Sequence, residues 1–88
     1  MPQKRSAKKR LRQDTVRRAR NRRRKAWIKD AVREYEQALH AGDAARASEQ
    51  LKEVYKRLDR VADHGTIHKN AAARRKARLA QRLTALSA

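Results

Sequence analysis

The chain has 88 residues, with 26 Lys plus Arg against 9 Asp plus Glu and a formal net charge of +17. That length holds one small domain, and a domain so charged repels itself unless a polyanion neutralises it. The absence of cysteine excludes disulfides and thiolate metal sites. No stretch approaches the ~20 apolar residues of a membrane span, and the basic N-terminus has no apolar run behind it to make a secretory signal.

The charge is unevenly placed. Residues 1–25 hold thirteen basic side chains and one acid, Asp14; residues 26–63 are nearly balanced; residues 64–88 hold six basic side chains and no acid. Two basic ends therefore flank a neutral middle, which predicts that the partner meets the ends while the middle supports them. The only apolar side chains through Lys25 besides Met1 and Pro2 are Ala7, Leu11, Val16 and Ala19. So weak a face argues against an organellar transit peptide.

No helix breaker lies between Pro2 and Gly42, and Ala, Arg, Lys and Gln, all good helix formers, fill much of the span. A first helix is predicted over roughly 5–40, with an apolar stripe at Ile28, Val32, Tyr35 and Leu39. Ala41-Gly42-Asp43 reads as a glycine stop followed by an Asp N-cap. A second helix follows over 44–63, striped by Leu51, Val54, Leu58 and Val61. His64-Gly65-Thr66 repeats the stop, with Thr66 as the expected cap of a third helix over 67–86, striped by Leu79, Leu83 and Leu86. Trp27, Tyr55 and Ile67 add bulk beside the stripes. Leu58 and Leu83 are expected to be comparable core positions.

Short connections predict an all-α, antiparallel three-helix bundle forming a single domain over 1–88. Residues 26–88 are expected to form the bundle, and residues 1–25 a basic arm continuous with the first helix. At ~1.5 Å per residue the first helix spans about 50 Å and its partners about 30 Å, so residues 5–25 overhang. Like charges at i,i+4 should fray that overhang in isolation, and phosphates should order it. Trp27, Tyr35 and Tyr55 are expected in the core, since stacking platforms need aromatics among the basic residues and none lies in 1–25 or 68–88.

Nothing in the pattern supports catalysis, and no cofactor or small-molecule substrate is expected. Both glycines serve as helix stops, leaving no phosphate loop, and Ser6, Ser48 and Ser87 have no His beside them in this architecture. The acids read as a charge-laced surface: Glu49 with Lys52, Glu53 with Lys56 and Arg57, Arg33 with Glu36. His64 and His68 are four apart, but Gly65 breaks the helix between them, and Asp59 and Asp63 are the only further ligands on paper, so no metal site is expected. Arg outnumbers Lys by 17 to 9, and Arg binds phosphate oxygens with a planar fork. Arg17, Arg18, Arg20, Arg22, Arg23, Arg24 and Lys25 point around every side of a helix. Such a rod suits a crevice with phosphate on several sides better than a flat membrane or a single DNA groove.

Specific residues add to this reading. Gly65-Thr66-Ile67-His68-Lys69-Asn70-Ala71-Ala72-Ala73-Arg74-Arg75-Lys76-Ala77-Arg78-Leu79 resembles the G-x-I-H-K-N-x-A-A-R-x-K-A-x-L signature of the bacterial small-subunit ribosomal protein S-twenty family. Ser6-Ala7-Lys8-Lys9-Arg10 is similar to that family's N-terminal motif. Lys4-Arg5 departs from it, standing where a more apolar approach is usual. The resemblance implies a structural component of the small ribosomal subunit, cytoplasmic, ribosome-bound and monomeric within the particle. It implies direct binding to the 5′ domain of 16S ribosomal RNA, stabilising its tertiary fold during assembly. Carried over by motif, the RNA-facing residues are Ser6, Lys8, Lys9, Arg10, His68, Lys69, Asn70, Arg74 and Lys76. Charge adds Lys4, Arg5, Arg12, Arg17, Arg18, Arg20, Arg22, Arg23, Arg24, Lys25, Arg75 and Arg78, with Asn21 among them. His68 and Asn70 are expected to fix register on the RNA more than to support the fold. The rival from residues alone is a DNA-compacting nucleoid-type protein, with a cationic membrane-active helix more distant.

Overall fold

A computed structural model describes the backbone of residues 2–87 and the side chains of residues 6–86. Three helices follow in order: α1 (Pro2–His40), α2 (Ala44–Asp63) and α3 (Lys69–Ser87), with no strand among the described residues. Pro2 opens α1, where a missing N–H costs nothing. From there the helix runs unbroken for 39 residues, starting somewhat before the expected residue 5.

Both helix stops have the same construction. Gly42 donates to the Leu39 carbonyl and Asp43 to the Ala38 carbonyl, each at 3.0 Å; Gly65 donates to Ala62 at 2.9 Å and Thr66 to Val61 at 3.3 Å. This paired closure satisfies carbonyls at a helix end and requires a left-handed residue. Gly42 and Gly65 supply it, with φ of 71° and 80°. Asp43 then caps α2, its carboxylate accepting from the Arg46 amide at 3.0 Å.

The second junction corrects the sequence reading. The Thr66 hydroxyl is engaged by Asn21 and Arg24 of α1, so Thr66 does not cap α3, and the helix begins at Lys69 instead of residue 67. His68 is the cap. Its carbonyl accepts the first helical bond from Ala72 at 3.0 Å, and its imidazole Nδ1 accepts from the Asn70 amide at 3.1 Å.

α2 lies between the other two helices. Arg57 reaches Trp27 and Arg46 reaches Glu34, so α1 and α2 run antiparallel. Tyr35 donates to the Leu79 carbonyl and Arg82 to Glu36, so α3 runs in the same direction as α1. The buried core is Ile28, Ala31, Tyr35 and Ala38 from α1; Ala47, Leu51, Val54, Leu58 and Val61 from α2; and Ala72 from α3. Four of these ten are alanines, which let the helix backbones approach closely. A stripe drawn through bulky residues alone overlooks them: on α1 the seam runs 28, 31, 35, 38, and Val32 and Leu39 sit on its flank.

α3 is the most lightly held element. Leu79 and Leu83 are half-buried and Leu86 is exposed, so the expected leucine stripe is a rim and not a second core seam. Polar contacts supplement it. Arg82 pairs with Glu36 at 3.0 Å, taking the acid that i,i+3 spacing had assigned to Arg33, and Lys76 pairs with Asp59. Two of the expected pairs on α2 do form, Glu49 with Lys52 and Glu53 with Arg57. Burial pushes the Tyr35 phenol above its ordinary value, against the opposing charge of Arg82. The hydroxyl therefore stays protonated and keeps donating to α3. The three aromatics pack as expected: Tyr35 is fully buried, while Trp27 and Tyr55 lie against the core. Arg57 covers Trp27 at 4.9 Å from the ring centroid and Lys76 covers Tyr55 at 5.2 Å.

Two outcomes follow for this bundle. Leu58 is wholly buried, so Leu58→Ala should cost about 2–5 kcal/mol. Half-buried Leu83 should lose only about 1 kcal/mol as Ala; urea melts of both variants measure the difference. Amide exchange of the free protein should be fast through Arg12–Arg20 and slow through Ile28–Ala38, because only the second segment has a packed face. Uniform protection along α1 would contradict this account.

Candidate nucleic-acid interface

The molecule measures 66 × 22 × 14 Å, and α1 sets its length. Residues 6–18 are exposed without exception. At about 100° per residue, the side chains of Lys8, Lys9, Arg10, Arg12, Arg17, Arg18, Arg20, Arg22 and Arg23 cover the full circle around the axis. The ion pairs among the described residues all involve positions 34 and beyond, so none neutralises the arm. The result is a cationic rod with a free charge on every face. Its larger apolar side chains, Leu11 and Val16, stand 67% and 62% exposed, too isolated to form a packing face. Arg12, Arg17 and Arg20 frame a shallow depression over Val16.

The arm meets the start of α3 through one hydroxyl. Thr66 accepts from the Arg24 guanidinium at 3.0 Å and donates to the Asn21 side-chain carbonyl at 3.1 Å. This link fixes the turn carrying Ile67, His68, Lys69 and Asn70 against residues 21–24 of α1. Arm and family-like motif, far apart in sequence, thereby form one basic surface. Arg22, Lys25 and Lys29 from α1 and Arg75 from α3 surround a notch of about 380 Å³, floored by Ala26 and Ile67.

The candidate residues fall into three groups. Ser6, Lys8, Lys9, Arg10, Arg12, Arg17, Arg18, Arg20, Arg22, Arg23, Lys25, Lys69, Asn70, Arg74, Arg75 and Arg78 are exposed and available to a partner. Asn21, Arg24, His68 and Lys76 have work inside the protein. The first two clamp the turn, His68 caps α3, and Lys76 binds Asp59 and covers Tyr55. The side chains of Lys4 and Arg5 lie outside the described residues. Lys29 and Ile67 were missed. Lys29 falls beyond the basic block ending at Lys25, although its spacing of four and seven from Lys25 and Arg22 puts it on their helix face. Ile67 reads as core bulk, and only the turn geometry shows part of it lining the notch.

Among the described residues, no group of three or more His, Asp or Glu is placed to hold a metal ion, and no helix is long and apolar enough to cross a membrane. A small helical bundle bearing an unneutralised cationic rod and a basic notch defines a polyanion-binding protein. Residues 2–84 match the family model described as ribosomal protein S20, and the chain belongs to that family. It is 44% identical to a small ribosomal subunit protein of Shouchella clausii over 88 residues, covering all of both chains. It is 47% identical to that of Clostridioides difficile over 83 residues, 94% of each chain. It is also 44% identical to that of Mycobacterium tuberculosis H37Rv over 81 residues, 92% of this chain and 94% of the relative. The family is one of structural ribosomal proteins, not of enzymes.

The imidazole cap separates two roles within the motif. His68→Ala should destabilise the protein by about 1 kcal/mol, whereas His68→Asn, which offers a capping oxygen, should recover most of it. Asn70→Ala should change stability by less than ~0.5 kcal/mol, since only its backbone is used locally. Thermal melts of the three variants check this. Equal melting of His68→Ala and wild type would remove the cap from the account.

Proposed function

We propose that this chain is a component of the small ribosomal subunit that binds 16S ribosomal RNA directly, in its 5′ domain, and stabilises the tertiary fold of that domain during assembly. The observation carrying this reading is the rod of residues 6–18, exposed and cationic on every face, with Asp14 its one acid and no ion pair formed there among the described residues. A flat surface or a single groove neutralises one side of such a rod. A crevice between RNA segments neutralises all of it, holding together strands that otherwise repel. The relatives' assignment to the small ribosomal subunit supports the same partner.

In this mechanism the bundle is a handle. α2 and α3 grip the apolar half of α1 and set the direction in which the cationic half leaves. Lys8, Lys9, Arg10, Arg12, Arg17, Arg18, Arg20, Arg22, Arg23 and Lys25 meet phosphates. Lys69, Asn70, Arg74, Arg75 and Arg78 meet a second segment beside the α1–α3 junction. Asn21, Arg24, His68 and Lys76 act one step back by holding those surfaces in register. Lys4 and Arg5 extend the arm's charge by sequence. Recognition comes from RNA shape and phosphate placement, not from base reading along a duplex. The chain acts as a monomer within the particle, in the cytoplasm where the ribosome works.

Neutralising some 6–10 phosphates should make affinity fall by orders of magnitude between ~50 and ~200 mM salt. The decisive comparison is competition at fixed moderate salt between a folded 16S 5′-domain fragment and duplex DNA of equal charge, together with co-sedimentation with small subunits. The RNA fragment should win and the protein should travel with the subunit. A flat salt titration, or equal competition by DNA, would defeat the proposal.

A further inference from the structure

The notch beside the α1–α3 junction differs from the rest of the basic surface. Elsewhere the cations stand on open helix faces. Here Arg22, Lys25 and Lys29 project from successive turns of α1 toward Arg75 on α3, around Ala26 and Ile67. None of the four cations is ion-paired among the described residues. Ile67 packs partly on the core and presents the remainder to the notch. The turn carrying it is held in place by the closure of α2 and by the Thr66 clamp to Asn21 and Arg24.

Size and lining restrict the occupant. A volume of about 380 Å³ is at the lower end of the roughly 300–1,000 Å³ range of small-ligand sites. A bare phosphate would leave the aliphatic floor wet. A base held in a duplex stack cannot leave it to reach the floor. A nucleotide outside the stack brings both required chemistries together, an apolar face and an anionic phosphate. Unpaired loops and bulges present such nucleotides in folded RNA, and guanidinium planes such as those of Arg22 and Arg75 can stack on bases as well as bind phosphate.

We propose that this notch binds a single unpaired RNA nucleotide, with its phosphate among Arg22, Lys25, Lys29 and Arg75 and its base against Ile67 and Ala26. The inference rests on the RNA-binding reading above and adds a position where the protein distinguishes an extruded nucleotide from a continuous helix. It gives Lys29 and Ile67 a shared role, and it gives the Thr66 clamp a purpose, since the notch exists only while the turn stays against α1.

The test uses the full-length protein and two RNA hairpins of equal length, one fully paired and one with a single bulged uridine. Wild type should bind the bulged hairpin about fivefold more tightly, the size expected of one modest apolar contact. Ala26→Gln fills the notch from an exposed helical position without changing charge or touching the core. It should abolish the preference while leaving affinity for the paired hairpin and thermal stability unchanged. Lys29→Gln with Arg75→Gln should weaken the bulged hairpin more than the paired one, whereas Arg12→Gln should weaken both alike. A 4-thiouridine at the bulge should crosslink to residues 22–29 or 67–75. Equal wild-type affinity for the two hairpins, or a preference that survives Ala26→Gln, would overturn the notch assignment and leave the wider reading intact. Failure to bind either hairpin or the 16S fragment would overturn both.

Discussion

The structure depends on the continuity of α1 across the boundary between its apolar and cationic halves. A helix whose charges repel at i,i+4 lacks support of its own. One that propagates from an already packed segment avoids the costly nucleation step. Residues 28–38, buried against α2, provide that segment, and the backbone carries its direction outward through residues 6–25. The arm can therefore be fully exposed and still aimed. A glycine or proline near residue 20 would break this connection, and the span between Pro2 and Gly42 contains neither.

The same division explains the modest core. Ten buried residues, four of them alanines, make a thin seam. What they lack in volume is offset by close helix approach and by polar struts over the edges. Arg57 illustrates the arrangement: it donates to the Trp27 carbonyl at 2.7 Å, to Glu53 at 2.9 Å, and lies over the Trp27 ring. Some cations of the bundle are ion-paired within the protein, as with Arg57, Lys76 and Arg82. Among the described residues, no cation of the arm is ion-paired.

The junction between α1 and the start of α3 joins the two regions. Thr66 closes α2 through its backbone and ties down Asn21 and Arg24 through its hydroxyl, while His68 starts α3. Family-like residues in this segment therefore set the local geometry while several of them stand exposed. His68, Lys69 and Asn70 all stand exposed, while Thr66 is half-buried against α1.

The sequence by itself determined the helices, their stops and the location of free charge. Helical periodicity, glycines needing positive φ and runs of like charge are local properties, and local properties are written in adjacent residues. The stripe Leu51, Val54, Leu58, Val61 and the Gly42-Asp43 junction were legible for that reason, and the G-x-I-H-K-N segment pointed to the family found by comparison. Tertiary structure alone decided which equivalent-looking residues do which work. It took Thr66 away from the α3 cap because its hydroxyl is engaged by Asn21 and Arg24 of α1. It moved Glu36 from Arg33 to Arg82 because α3 lies beside α1, and left Leu83 half-buried because α3 rests on the edge of the seam. It brought Lys29 and Ile67 into one notch although 38 positions separate them. Each of these outcomes depends on the distance between helices, which no residue encodes alone because it is set by the summed packing of Ala31, Ala38, Ala47 and Ala72.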